Sequence, residues 1–238
     1  MKKVFLFSFG LLVALSSLLV SCEEAVGDED SAGFDDSAIG GIFDPNGHEF
    51  VDLGLSSGTK WATMNVGATS PEEYGDYYAW GEIEEKEEYS WSTYKWCNGS
   101  ENTLTKYCTD SDYGNVDNKT VLDPEDDVAH VKWGGSWRMP TSDEQKELYE
   151  NCTWTWTTQN GVNGHTVTGP NGNSIFLPAA GCRYRTEVYN RGSYGNYCSS
   201  SLRSYRSNLA YLLYFDGGYY DWDDVSRYYG LSVRPVSK

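Results

Sequence analysis

The sequence predicts an α+β domain with few helices and many short antiparallel strands. Turn signals containing Gly or Asn-Gly recur between short apolar and aromatic runs, whereas only two segments carry helix start signals. The 19 Tyr and 9 Trp among 238 residues supply enough apolar area for a core. The formal charge of −17 excludes nucleic-acid partners, because phosphate backbones would repel so acidic a chain.

The first predicted element is a hairpin. Phe50, Asp52 and Leu53 lead into the turn sequence Ser56-Ser57-Gly58-Thr59, and Trp61 continues the pattern on its far side. An acidic stretch over 82–88 is then expected to be a loop.

Two helices are predicted in the middle of the chain. Asp123-Pro124-Glu125-Asp126-Asp127 precedes Val128, and proline and acids suit the positive end of a short helix. Thr141 and Glu144 stand at capping-box spacing, which predicts a second helix over about 142–151. Beyond it, Asn160-Gly161 and Asn171-Gly172 predict two hairpin turns of an antiparallel sheet.

The N-terminal segment predicts a secreted lipoprotein. Lys2 and Lys3 precede an apolar run that is too short for a stable membrane span, and Leu19-Val20-Ser21-Cys22 follows it directly. This tetrapeptide resembles the bacterial lipobox, so residues 1–21 are expected to be a signal peptide and Cys22 the lipidated N-terminus. An ordinary signal peptide that happens to end near a cysteine is the alternative.

An acidic tether is predicted after the leader. Residues 22–42 hold Cys22, seven Asp and Glu side chains and no base, a composition that keeps a chain extended. Acidic residues beside a lipidated cysteine also resemble the signal that exports Bacteroidetes lipoproteins to the outer face of the outer membrane. We therefore expect an outer-membrane anchor at the cell surface, with the periplasmic face as the alternative, and one folded domain over 43–238.

Five further cysteines agree with an oxidising compartment. Cys97 and Cys108 flank a loop, and Cys152 and Cys182 flank a predicted hairpin, so two disulfides and one free thiol are expected. Zinc binding is the competing interpretation, but there is no Cys-x-x-Cys pair and the three His are scattered. No metal and no other cofactor is predicted.

The C-terminal segment differs in composition from the rest of the chain. Between Tyr189 and Ser232 there is no Lys, Glu, Gln or Met, although 28 residues of these types occur between Glu23 and Val188. The segment instead holds ten Tyr and eight Ser, with four Arg balanced by four Asp. Tyr offers rigid contact area while Ser and Asp offer adaptable hydrogen bonds, as in antibody loops, so this segment is expected to bind a ligand.

Four motifs in the sequence resemble one protein family. They are Trp137-Arg138-Met139-Pro140-Thr141, Asn173-Ser174-Ile175-Phe176-Leu177-Pro178-Ala179-Ala180-Gly181, Ser199-Ser200-Ser201-Leu202 and Ser232-Val233-Arg234-Pro235-Val236. In this order they look like the Fibrobacter succinogenes major paralogous domain, over roughly 45–238. The resemblance implies a C-type lectin-like fold of the formylglycine-generating-enzyme kind, with two helices and small twisted sheets that support long loops. Cys198 departs from the pattern, which has Trp before the serines.

The missing residue types also follow a codon rule. Codons of the form NNC or NNT cannot encode Lys, Glu, Gln, Met or Trp, and randomising the adenines of an Asn codon gives only such codons. The pattern resembles the variable repeat in target proteins of diversity-generating retroelements, and it implies a variable region over about 203–231. Only Trp222 breaks the rule there. Ordinary drift in a secreted protein is the alternative.

Positions in this region fall into two expected groups. Core and turn positions are Ala210, Leu213, Phe215, Trp222, Gly230 and Val233, with Arg227 as a fixed polar residue. The expected ligand-binding residues are Tyr205, Arg206, Asn208, Leu209, Leu212, Tyr214, Asp216, Tyr219, Asp221, Asp223, Asp224, Tyr228, Tyr229 and Leu231.

The expected function is binding of a protein or glycan on a phage, a host or a neighbouring cell, with membrane contact through the lipid anchor only. Enzymatic activity is not expected, because there is no Gly-x-Ser-x-Gly motif and no sign of an activated thiol. Two alternatives stay open. Trp222-Asp223-Asp224 partly matches a motif of calcium-dependent carbohydrate-binding lectins, and Cys182 with Cys198 is the nearest candidate site for a formylglycine-generating-type oxidase.

Overall fold

The structure, a computed structural model, describes residues 42–238. The predicted signal peptide, the lipidation at Cys22 and the tether up to residue 41 lie outside the described residues. Within 42–238 the chain is α+β, with two short helices and twelve short strands in four antiparallel sheets. Neither helix of this part of the chain has the length and apolar character needed to cross a bilayer.

The first sheet joins the two ends of the domain. Its strands are β1 (Ile42–Phe43), β2 (Glu49–Asp52), β3 (Lys60–Ala62) and β12 (Val236–Ser237), in the order β1-β2-β3-β12. The predicted first hairpin is confirmed as the β2–β3 pair. Ile42, the last residue of the predicted tether, already belongs to the domain, because it pairs with Phe50 in β2.

The first predicted helix is present but divided. A 3₁₀ turn over Pro124–Asp126 precedes α1 (Val128–Trp133). Asp127 separates the two as the N-cap of α1, and its carboxylate accepts a hydrogen bond from the His130 backbone N–H at 3.1 Å. The carboxylate satisfies one of the amide groups that a helix start leaves unpaired.

The second helix, α2, spans Ser142–Asn151, and its predicted capping box is confirmed. The Thr141 hydroxyl accepts from the Glu144 backbone N–H at 3.3 Å, and the Glu144 carboxylate accepts from the Thr141 N–H at 2.9 Å. These reciprocal bonds fix the first turn of a helix whose buried face carries Leu148.

The second sheet contains β4 (Thr153–Gln159), β5 (Val162–Thr168) and β6 (Ser174–Pro178) in sequence order. Asn160 and Gly161 form the two-residue turn between β4 and β5, with φ of 48° and 83°. Positive φ at both residues is what a type I′ turn requires, which explains why Asn-Gly predicts this hairpin.

The remaining strands form two sheets. The two-stranded sheet pairs β7 (Cys182–Tyr184) with β8 (Glu187–Tyr189). The three-stranded sheet has the order β11-β10-β9, made from β9 (Gly195–Leu202), β10 (Leu209–Phe215) and β11 (Tyr220–Ser226). β10 is therefore central and β11 lies at an edge.

Three apolar clusters fill the interior. The cluster under α2 includes Leu148, Val167, Leu177, Leu213 and Phe215. A second, the central cluster, includes Tyr78, Trp80, Leu212, Leu231 and Val233. A third is formed by the aromatic stretch after the acidic loop and includes Tyr89, Tyr94 and Leu104. Burial of each large side chain contributes about 1.5–3 kcal/mol.

The expected disulfides do not form among the described residues, where all five cysteines are free. The Cys97 thiol lies 3.1 Å from the Trp91 carbonyl oxygen and the Cys108 thiol 3.1 Å from that of Asp110, so each side chain has its own acceptor. Cys152 packs against the cluster under α2 and Cys182 against the central cluster. Flanking a loop or a hairpin in the sequence therefore did not bring Cys97 to Cys108 or Cys152 to Cys182.

Candidate functional site

The central position of β10 decides which residues of 203–231 reach the surface. Successive side chains of a strand point to opposite faces, and both faces of β10 are covered. Leu213 joins the cluster under α2, whereas Leu212 joins the central cluster. Leu212, an expected ligand-binding residue, is therefore buried, with 3% of its surface exposed.

A second expected ligand-binding residue is also part of the core. Leu231 is 3% exposed, and its backbone exchanges two 3.0 Å hydrogen bonds with Tyr78. The codon rule alone does not separate it from surface positions, because Leu is an allowed residue type at either kind of position.

The other expected ligand-binding residues reach the surface to different degrees. Tyr205 and Tyr219 are 63% and 53% exposed. Arg206 and Asp223 are also exposed, and the half-buried members are Asn208, Leu209, Tyr214, Asp216, Asp221, Asp224, Tyr228 and Tyr229.

Most of the expected core positions are confirmed. Ala210, Leu213, Phe215, Gly230 and Val233 are buried. A Cβ at Gly230 would lie 2.5 Å from the buried Tyr89 ring, so a larger residue would have to displace that ring. Trp222 differs, because it lies half-buried on the edge strand β11 and stacks on Tyr211 with ring centroids 4.2 Å apart.

The expected fixed polar position, Arg227, is a buried clamp with 1% of its surface exposed. Its guanidinium donates to the Tyr94 hydroxyl at 2.8 Å and to the carbonyl oxygens of Tyr107 and Ser207 at 3.0 and 2.9 Å. It also lies 4.8 Å from the Trp80 ring centroid. These contacts tie the end of β11 to the loop over 94–107.

Strand alternation divides the expected ligand-binding residues between two faces of the sheet. Directly paired residues share a face, and β10 pairs with β11 as Tyr214 with Asp221 and Tyr211 with Asp224. Tyr214 and Tyr211 are an odd number of positions apart, so the two pairs lie on opposite faces. A single flat ligand cannot contact all fourteen expected residues.

One surface cluster, the tyrosine patch, consists of Tyr184, Tyr189, Tyr228 and Tyr229. Ring centroids lie 5.1 Å apart for Tyr184 and Tyr229, 4.9 Å for Tyr228 and Tyr229 and 6.0 Å for Tyr184 and Tyr189. Burial raises the pKa of Tyr228 and of Tyr229, so both phenols stay neutral and can donate hydrogen bonds. Tyr184 and Tyr189 lie in the β7–β8 hairpin, outside the region over 203–231 in which the sequence predicts ligand-binding residues.

A second cluster surrounds the tip of the β10–β11 hairpin. The Tyr214 ring lies 5.6 Å from that of Tyr194 and 6.4 Å from that of Tyr219, and the Tyr219 hydroxyl donates to the Asp221 carboxylate. Burial raises the pKa of Tyr214 to about 12. Asp216 accepts from the backbone N–H of Tyr219 at 2.9 Å, so its carboxylate shapes the turn.

A third cluster lies on the opposite face of β10 and β11. Arg203 contacts both the Asp224 carboxylate and the Tyr205 hydroxyl, and its guanidinium lies 4.6 Å from the Tyr205 ring centroid. The stacked pair Tyr211 and Trp222 occupies the same face of the sheet as Asp224. Trp222 is therefore half-buried on this face, whereas the sequence predicted a core position.

The geometry does not favour either alternative function. Asp223 and Asp224 are successive residues of β11 and point to opposite faces, and residues 42–238 contain no group of three His, Cys, Asp or Glu side chains suited to a metal ion. Burial raises the pKa of the Cys182 and Cys198 thiols, which disfavours the thiolate that oxidase chemistry needs.

No protein-family model, curated protein or solved structure matches this chain. The function proposed below therefore rests on the composition and geometry of the C-terminal surface.

Proposed function

We propose that this protein is a surface-anchored lipoprotein that binds a ligand, in the first place a protein, through a variable surface on a C-type lectin-like scaffold. One observation carries the proposal: the residues of 203–231 divide into a buried set that maintains the fold and an aromatic set at the surface. Phe215 and Arg227 represent the first set, and Tyr205 and Tyr219 the second. Such a division allows the surface to change while the core stays intact.

The chemistry of the surface favours a protein ligand. Tyrosines supply large apolar area with few rotatable bonds, and their neutral hydroxyls can donate or accept hydrogen bonds. The tyrosine patch and the cluster at the hairpin tip together present seven tyrosines, among them Tyr189 with 44% of its surface exposed. A standard protein interface of about 800 Å² per partner would engage one sheet face and its neighbouring turns.

The proposed origin of the variation is a diversity-generating retroelement, which gives a direct test in DNA. A near-identical copy of the sequence encoding 203–231 should lie nearby, beside a reverse transcriptase gene. Deep sequencing of a bacterial population should then show codon changes only where the copy has adenine. Codons for Phe215 and Gly230 should stay fixed. Variation spread evenly over the coding sequence, with no second copy, would contradict this origin.

The proposed anchor is tested separately, because binding and localisation can fail independently. Mass spectrometry of the mature protein should find a diacylglyceryl group on Cys22. Cys22→Ala should move the protein from the membrane fraction to the soluble fraction. Protease added to intact cells should cleave the tether if the domain faces outward. A chain that partitions into membranes equally well with alanine at position 22 would exclude the lipid anchor.

Binding itself can be measured with the purified chain on phage particles and on bacterial cells from the same habitat. Tyr189→Ser with Tyr219→Ser should weaken binding, whereas Lys146→Ser, on the exposed side of α2, should not. Binding should persist in EDTA. Loss of binding in EDTA that calcium restores would favour the lectin alternative.

A further inference from the structure

Three arginines beside the tyrosine patch have no ion-pair partner among the described residues. Seven lysines together with Arg138 and Arg203 form ion pairs in residues 42–238. Arg183, Arg185 and Arg191 form none, although acidic residues outnumber basic residues by 35 to 18 in the chain. Unpaired cations in so acidic a protein are available to a ligand.

Arg183 is the least satisfied of the three. Its Nε is buried without an acceptor, and its guanidinium makes no hydrogen bond to any described residue. The carbon at the centre of the guanidinium lies 5.3 Å from the Tyr89 ring centroid, a contact that orients the group but satisfies none of its five N–H donors. Arg185 and Arg191, in contrast, donate to the hydroxyls of Tyr184 and Tyr77.

An open groove of about 520 Å³ lies beside Arg183. Thr186 lines it and makes no side-chain hydrogen bond to the described residues, whereas Lys86 is occupied by the Glu82 carboxylate at 2.8 Å. Glu85 and Glu87 also line the groove, but neither forms an ion pair with Arg183. Arg183 is therefore the one cation lining this groove that has no carboxylate partner among the described residues, and its guanidinium can bind one ligand carboxylate through two parallel hydrogen bonds.

We propose that Arg183 and Thr186 anchor a single carboxylate of the ligand, an Asp or Glu side chain of a protein, beside the tyrosine patch. Arg183 is joined to the variable region directly, since its backbone exchanges hydrogen bonds of 2.7 and 2.9 Å with Gly230. Tyr184 follows it in β7 and contacts Tyr228 and Tyr229. Arg183 precedes residue 203, so the anchor is constant while Tyr228 and Tyr229 of the patch vary. This inference rests on the proposed binding function.

The backbone at Arg185 supports a role for this hairpin beyond folding. Arg185 adopts a φ of 54°, a region that Gly or Asn occupies more easily. Two 2.9 Å backbone hydrogen bonds with Tyr89 hold the turn in place. The hairpin is thus fixed at both ends, which keeps Arg183 oriented before a ligand arrives.

The test is an NMR titration of the full chain that follows the Nε–H signals of its arginines. The probe is the peptide acetyl-Gly-Glu-Gly-amide, and its control is the same peptide with Gln. The Arg183 signal should shift with the Glu peptide and not with the Gln peptide. Arg183→Gln should weaken the affinity at least tenfold, because a charge-assisted hydrogen bond contributes about 1.5–3 kcal/mol. The control Lys146→Gln, on the exposed side of α2 and outside the expected ligand-binding residues, should leave it unchanged.

Equal shifts at Arg183 and Arg206, or equal response to both peptides, would overturn the anchor. The DNA test of the variable region is independent of this result. If the DNA test finds variation at adenines but the Glu peptide does not bind, the carboxylate anchor is rejected and the proposed function stands. Specific peptide binding without such variation would leave a fixed carboxylate site and reject the variable surface.

Discussion

At the scale of single residues, the C-terminal segment combines side chains that maintain the fold with side chains that face solvent. Arg227 is the clearest example of a side chain that maintains the fold. Its guanidinium is buried, and its hydrogen-bond partners are a tyrosine hydroxyl and backbone carbonyl oxygens. Removing those donors would leave buried acceptors unpaired, a penalty of about 1–3 kcal/mol each.

Arg227→Leu should therefore reduce the free energy of unfolding by about 3–5 kcal/mol. The exposed Arg206→Leu should change it by less than about 0.5 kcal/mol. Urea denaturation followed by tryptophan fluorescence measures both. Equal stability of the two variants would mean that Arg227 is not a structural clamp.

The tyrosines should form a graded series in stability. Tyr219→Ser should cost less than about 0.5 kcal/mol, because the ring is 53% exposed. Tyr228→Ser should cost about 1–3 kcal/mol, because that ring packs 5.0 Å from Trp91 and 4.9 Å from Tyr229. Phe215→Ala should cost about 3–5 kcal/mol, since Phe215 is fully buried. Thermal denaturation of the three variants would show a different order if the hairpin tip were part of the core.

At the scale of elements, the start of α2 combines helix capping with a buried ion pair. The Glu144 carboxylate accepts from both terminal nitrogens of Arg138 at 2.7 and 2.6 Å and from the Thr59 hydroxyl at 2.9 Å. Burial alone would raise the pKa of Glu144, but these bonds hold it at about 2. The motif that carries Arg138 thereby fixes α2 to the β2–β3 connection that holds Thr59.

This pKa predicts a specific pH dependence. A carboxyl group whose pKa is lowered on folding stabilises the protein above its ordinary pKa of 4.5, and the stabilisation is lost as the pH falls from there towards 2. Glu144→Gln should reduce stability by about 2–3 kcal/mol at pH 7 and by progressively less below pH 4.5. The control Glu150→Gln, in an exposed pair with Lys146, should change stability little at either pH. A constant difference between Glu144→Gln and wild type from pH 7 to pH 3 would contradict the assignment.

At the scale of the whole molecule, packing of separate clusters stabilises the domain without cross-links. Two of the three apolar clusters pack on the β9–β10–β11 sheet, and the cysteines are distributed among all three as small apolar side chains. A domain of this size has enough core to fold without disulfides.

Thiol titration should therefore find five reactive cysteines in the denatured, non-reduced domain. In the native state the reaction should be slow, because Cys108 and Cys198 are buried and burial raises the pKa of Cys152 to about 11. Protein purified from the periplasm under non-reducing conditions is the relevant sample. Detection of only one thiol in denaturant would contradict this prediction and support the two disulfides expected from the sequence.

The sequence by itself determined the class of the fold and its local elements. The capping box at Thr141, the Asn160-Gly161 turn and the α2 boundaries are encoded by a few neighbouring residues, so local patterns predict them. The burial of Leu213 and Phe215 in β10 was also predictable. The two residues occupy alternate positions of one strand, so their side chains point to the same face.

Only the tertiary structure decided which residues share a surface. Leu212 and Leu231 are buried because a second cluster covers the other face of the sheet, a fact that depends on residues distant in sequence. The same long-range packing left Trp222 half-buried on an edge strand, kept the cysteines apart and placed Arg183 beside Gly230. Strand periodicity shows which side chains point the same way, but the elements that pack on each face determine which of them can meet a ligand.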